Sequence, residues 1–95
     1  MEHSGFVGTL CKVDALVTGK PAVIVRIVPQ ASVDDGDVTI YDGRGTDGRS
    51  LGIYYGLKKQ TLGIELGIEC EQGIYVDIGT SMTSCLVVWY PLSEV

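Results

Sequence analysis

The stretch Val38-Thr-Ile-Tyr-Asp-Gly-Arg-Gly-Thr-Asp-Gly-Arg-Ser-Leu-Gly-Ile-Tyr-Tyr55 leaves this chain little freedom in how it folds. Val38 to Tyr41 and Leu51 to Tyr55 are β-branched and aromatic runs, which favour a pleated, half-buried surface. Between them lie Asp42-Gly43 and Asp47-Gly48, dipeptides that favour tight turns because glycine accepts a positive φ. The spacing predicts a β-hairpin with a polar tip over Asp42 to Asp47, its strands paired and its tip exposed.

The rest of the chain repeats this vocabulary. Phe6 to Val13 alternates imperfectly, and Asp14 to Thr18 continues the extended preference up to a turn at Thr18-Gly-Lys-Pro21. Ala22-Val-Ile-Val-Arg-Ile-Val28 is apolar on both sides except at Arg26, which predicts a central strand covered on both faces and ended by Pro29. From Thr61 to Cys70 the period is two: Leu62, Ile64, Leu66, Ile68 and Cys70 share one face, opposite Gly63, Glu65, Gly67 and Glu69. Ile74, Val76 and Ile78 alternate again, and Ser84 to Tyr90 forms a last strand, apolar on both faces, before Pro91. Run centres recur about every 10–12 residues, and no window shows the i, i+3, i+4, i+7 recurrence of an amphipathic helix. The expectation is an all-β, single-domain antiparallel β-sandwich over residues 1–95, with seven or eight strands. Its topology is left as jelly-roll or immunoglobulin-like, and residues 1–6 are read as an N-terminal arm.

Composition excludes some functions. Seven basic residues against twelve acidic give a net charge of −5. Phosphate binding needs clustered Lys and Arg, and the adjacent pair Lys58-Lys59 reads as a solvated loop, so no nucleic-acid partner is expected. No apolar stretch approaches the roughly 18–20 residues that span a bilayer, and no membrane partner is expected. Met1-Glu-His-Ser-Gly lacks the basic start and apolar core of a signal peptide, so the chain is expected to be soluble and not exported.

The three cysteines, Cys11, Cys70 and Cys85, are widely spaced and read as reduced, buried thiols. The single histidine, His3, leaves little for a Ser-His-Asp or Cys-His arrangement to build on, or for a zinc site. Glu65 and Glu69 share a strand face but lie about 13 Å apart, and read as solvated charges that discourage edge aggregation. Asp34-Asp35-Gly36-Asp37 and the tip Asp42 to Asp47 invite a calcium reading, but ordinary turn chemistry is favoured, since turns want Asp and Gly anyway. Counted from Asp42, positions three and five hold Arg44 and Thr46, where the best-known calcium loop requires Asp or Asn. No catalytic residue, cofactor or metal is expected, and the chain is read as not an enzyme. Tyr54 and Tyr55 are neighbours on a strand and must point to opposite faces. With Tyr41, Tyr75, Tyr90 and Trp89, they are candidates for a protein interface or a sugar-stacking platform.

The succession Gly19-Lys-Pro-Ala, Val38-Thr-Ile-Tyr-Asp-Gly, Leu51-Gly, Gly73-Ile-Tyr-Val-Asp-Ile and a closing apolar strand resembles small all-β virion proteins of tailed bacteriophages. The resemblance covers about residues 16–90 and is one of strands and turns. It implies a non-enzymatic structural virion protein, foremost a capsid decoration (cement) protein bridging capsid subunits. Its partners would be the major capsid protein or other virion proteins, it would form a homo-oligomer, and it would be assembled in the host cytoplasm. The alternatives are a carbohydrate-binding or adhesion module using Tyr54, Tyr55 or Trp89, and a neck or tail component. Phe6, Tyr54 and Tyr55 are the candidate interface residues.

Overall fold

The computed structural model describes residues 6–32, 34–58 and 61–92. It is all-β, with eight strands among these residues: β1 (Val7–Cys11), β2 (Ala15–Thr18), β3 (Ala22–Ala31), β4 (Gly36–Asp42), β5 (Arg49–Gly56), β6 (Ile64–Cys70), β7 (Ile74–Ile78) and β8 (Met82–Pro91). They form two antiparallel four-stranded sheets, sheet A in the order β1-β8-β3-β6 and sheet B in the order β2-β7-β4-β5. Strand β3 packs on β4 and β5, while β8 packs on β4 and β7. The sheets therefore stack as a sandwich, with edge strands β1 and β5 at diagonally opposite corners.

The core follows from the two-residue period. Ile24 and Ile27 of β3, Val38 and Ile40 of β4, Ile74 and Val76 of β7, and Cys85 and Val87 of β8 are fully buried between the sheets. Ile24 and Ile27 both point inward, though three apart, because a bulge at Val25 shifts the register of β3 against both of its neighbours. All three cysteines are free and buried, and Cys11 lies directly opposite Cys85 across β1 and β8. Burial pushes the Cys85 thiol up to about 12, with a further contribution from Cys11. Burial also pushes Cys70 up to about 11, with Asp42 adding to the rise and Arg49 opposing it.

The hairpin is present as β4 and β5, paired from Gly36–Gly56 to Asp42–Arg49. Three expectations need correction. Pro29 does not end its strand: β3 runs on to Ala31, with Pro29 opposite Cys85. Beyond Ile27 strand β6 no longer flanks β3, so a proline there removes no hydrogen bond to β6. Leu62 precedes β6 and is exposed.

The third correction concerns coverage. Strand β3 is central, but only its inner side is covered; its outer residues Val23, Val25 and Val28 are only half-buried. Of the expected N-terminal arm, residues 1–5 lie outside the described residues. Phe6 stacks on Tyr90 with ring centroids 5.5 Å apart.

Candidate interaction surfaces

The hairpin tip divides into a buried base and an exposed end. Arg44, Thr46 and Asp47 are exposed as expected, whereas Asp42 and Gly43 are buried. Asp42 accepts hydrogen bonds from the main-chain amides of Glu71 (3.1 Å) and Gln72 (2.8 Å), and from Arg49 Nη2 (3.2 Å). Burial alone would raise its pKa. The two amides, with Arg49, outweigh that and hold the carboxyl below its ordinary value. Gly43 N donates to Gly73 O, and Arg44 donates to Gly19 O. Tip, β6–β7 turn and β2–β3 turn are thus fastened together.

The three candidate interface residues do not converge. Tyr54 faces inward: its ring is half-buried against the core and its hydroxyl donates to Leu51 O at 2.8 Å. Trp89 also packs on the core and donates from Nε1 to Thr9 Oγ1. Both are only partly exposed. Tyr55 is 62% exposed on β5, and Phe6 is 61% exposed beside β8, on the other sheet. Spacing on one strand separated Tyr54 from Tyr55 correctly but carried no information about Phe6, whose position depends on the pairing of β1 with β8.

What the structure does bring together is two outer faces, one aromatic and acidic, the other apolar. On sheet B, register aligns Leu16, Tyr75 and Tyr41 in one row, Asp77, Thr39 and Ile53 in the next, and Asp37 with Tyr55 in a third. The Tyr41 and Tyr75 rings are tilted against each other at 6.4 Å. The carboxylates crowd one another: partial burial, then Asp14, then Asp37 raise the Asp77 pKa. Beside Tyr55 an open cleft of about 250 Å³ is lined by Asp35, Gly36, Asp37 and Thr80. Asp37 accepts from Thr80 N there, and Asp35 accepts from Lys58 N, so both carboxylates are fixed at the rim.

On sheet A the rows are Phe6, Tyr90, Val23 and Glu69; then Gly8, Val88, Arg26 and Glu65; then Leu10, Leu86 and Val28. Seven large apolar or aromatic side chains occupy its β1, β8 and β3 portion. Arg26 and Glu65 pair with each other at the margin. Sequence reasoning had the signal for this face, since β3 and β8 are apolar on both sides. It assigned the outer side to the interior because alternation does not say whether a second layer exists.

Among the described residues no three His, Cys, Asp or Glu side chains are grouped to hold a metal ion. Comparison with protein-family models, with curated proteins and with solved structures gives no match. The likeness to phage virion proteins stands on the pattern of strands and turns alone.

Proposed function

We propose that this protein is a structural module that works by burying surface against other proteins, in the form its resemblance implies: a capsid decoration protein bridging capsid subunits. One observation carries the reading. The two outer faces both present large apolar or aromatic groups, and they lie back to back across one core. A bridging protein needs two contact surfaces, whereas a small-molecule enzyme needs one convergent pocket. The mechanism involves no chemical step: area removed from water on each side holds neighbouring subunits in register. Tyr41, Tyr75 and Tyr55 give sheet B the aromatic composition that protein interfaces favour.

The topology we propose with it is a jelly roll. Every connection except β4–β5 crosses between sheets, and β8 returns between β1 and β3, the pattern of two interleaved Greek keys.

The test is particle stability. Phage heads assembled without the protein, then supplemented with it, are expected to gain resistance to heat or osmotic shock. Addition of the Tyr41→Ala/Tyr75→Ala variant is expected to restore less. Heads equally stable with and without the protein would overturn the cementing role.

The cleft beside Tyr55 favours a second reading, carbohydrate binding, because an exposed ring flanked by two fixed carboxylates matches how sugars are stacked and hydrogen-bonded. Saturable glycan binding abolished by Tyr55→Ala would put that reading first.

A further inference from the structure

From the outer face of sheet A we infer that the protein pairs with a second copy of itself, face to face, through Phe6, Leu10, Val23, Leu86, Val88 and Tyr90. This does not rest on the capsid reading, because it concerns the isolated protein.

Three features select a second copy as the occupant. The first is charge. The chain carries net −5, so two copies repel unless they meet where that charge is absent. On sheet A, Arg26 and Glu65 neutralise each other, and Glu69 lies on edge strand β6. A two-fold axis along β8 would lay β8 on its copy and β1 on the copy of β3, and leave β6 outside as a charged rim. Sheet B cannot do the same, because Asp77 and Asp37 lie in adjacent rows of its outer face, where a second copy would add two more carboxylates.

The second feature is composition. The overlapping part is aliphatic and aromatic with Arg26 at its border, matching the apolar centre and polar margin of homodimer interfaces. Gly8, on β1 between Phe6 and Leu10 and beside Val88, leaves a hollow that Arg26 of the second copy would face.

The third is area. Strands about 4.8 Å apart, rising about 3.4 Å per residue, give the three overlapping strands a flat footprint on the order of 400 Å². Its rugged accessible surface is larger, which brings it to the scale of the roughly 600 Å² per partner buried in the weaker specific complexes.

The test is solution mass by sedimentation equilibrium, from below 1 µM to about 100 µM, a range that brackets a micromolar dissociation constant. Wild type is expected to dimerise. Leu10→Glu and Gly8→Lys are expected to weaken the dimer at least about 100-fold, since the first buries a carboxylate against Val28 of the second copy and the second sets a cation against Arg26 of the second copy. Neither change should disturb the monomer: Leu10 is 54% exposed, and a Cβ on Gly8 meets nothing closer than Leu86 Cδ1 at 3.7 Å. Unchanged circular dichroism and melting of the diluted variants checks this. Ile53→Glu on sheet B is expected to leave the dimer intact. A wild type still monomeric at the highest concentration overturns the inference. So does a dimer that survives both sheet A variants, or one that only Ile53→Glu dissolves.

Discussion

The carboxylate of Asp42, at the end of β4, lies 2.8 Å from the main-chain nitrogen of Gln72 in the turn that leads into β7. With that amide and the amide of Glu71 it makes two charge-assisted hydrogen bonds that tie the buried end of β4 to the β6–β7 turn.

Asp42→Ala should therefore cost about 1–3 kcal/mol, from the loss of hydrogen bonds made by an ionised acceptor. Arg49→Ala should cost well under about 1 kcal/mol, because the Arg49 side chain is largely exposed and its ion pair is screened. Urea unfolding of both variants measures the difference. Equal losses would mean that the ion pair, rather than the amides, anchors the hairpin base.

Acid should act on two carboxylates in opposite senses. Asp42 has its folded pKa depressed, so its contribution is full above the ordinary value of 3.8 and is lost as pH falls through the folded value. Asp77 has its folded pKa raised, so it favours the folded state below 3.8 and loses that contribution as pH rises through the folded value. At neutral pH Asp77→Asn is expected to leave stability unchanged or raise it, whereas Asp42→Asn lowers it. Melting curves across the acid range check both signs.

Gly73 adopts φ 141°, and a Cβ there would lie 2.5 Å from Thr18 O and 3.0 Å from Gly43 O. Gly73→Ala combines main-chain strain with a backbone clash and should cost more than about 2 kcal/mol. Gly67 also has positive φ (64°), but a Cβ there would meet nothing within 4 Å. Gly67→Asn should thus cost no more than about 1 kcal/mol. Differential scanning calorimetry of the two variants separates strain alone from strain with a clash.

The cysteines should be silent in the native protein. Burial holds Cys85 and Cys70 far above neutral, so at about pH 8 a thiol reagent meets almost no accessible thiolate. Labelling is expected to follow the rate of unfolding and to accelerate with urea in parallel with it. Fast labelling of the folded protein would mean that the edge between β1 and β8 opens locally.

Much of the fold could be read from residue order, because a two-residue period reports directly which side of a strand faces the core. Leu66 against Glu65, and Val76 against Tyr75, were legible for that reason. The hairpin was legible because its turn residues and both of its strands are local. The burial of Asp42 was not, since its partners lie 29 and 30 residues away and Asp-Gly is equally at home in an exposed turn. Pro29 misled because a proline breaks a ladder only where a neighbour needs its amide, and the register that decides this is set by β6 and β8. The surfaces were least legible. Phe6 joins Tyr90, and Tyr41 joins Tyr75, only through pairings between strands distant in sequence.

The position of β8 also bears on how the chain is made. It supplies the hydrogen-bonding partner of β1 and one of the two partners of β3. On the ribosome β4 and β5 can zip together early, but β1 has nothing to pair with until Met82–Pro91 has been synthesised. At roughly 5–20 residues per second, β1 waits for several seconds with both its inward and outward apolar residues open to water. That interval is when the nascent chain is most exposed to misassociation, and translation speed sets how long it lasts.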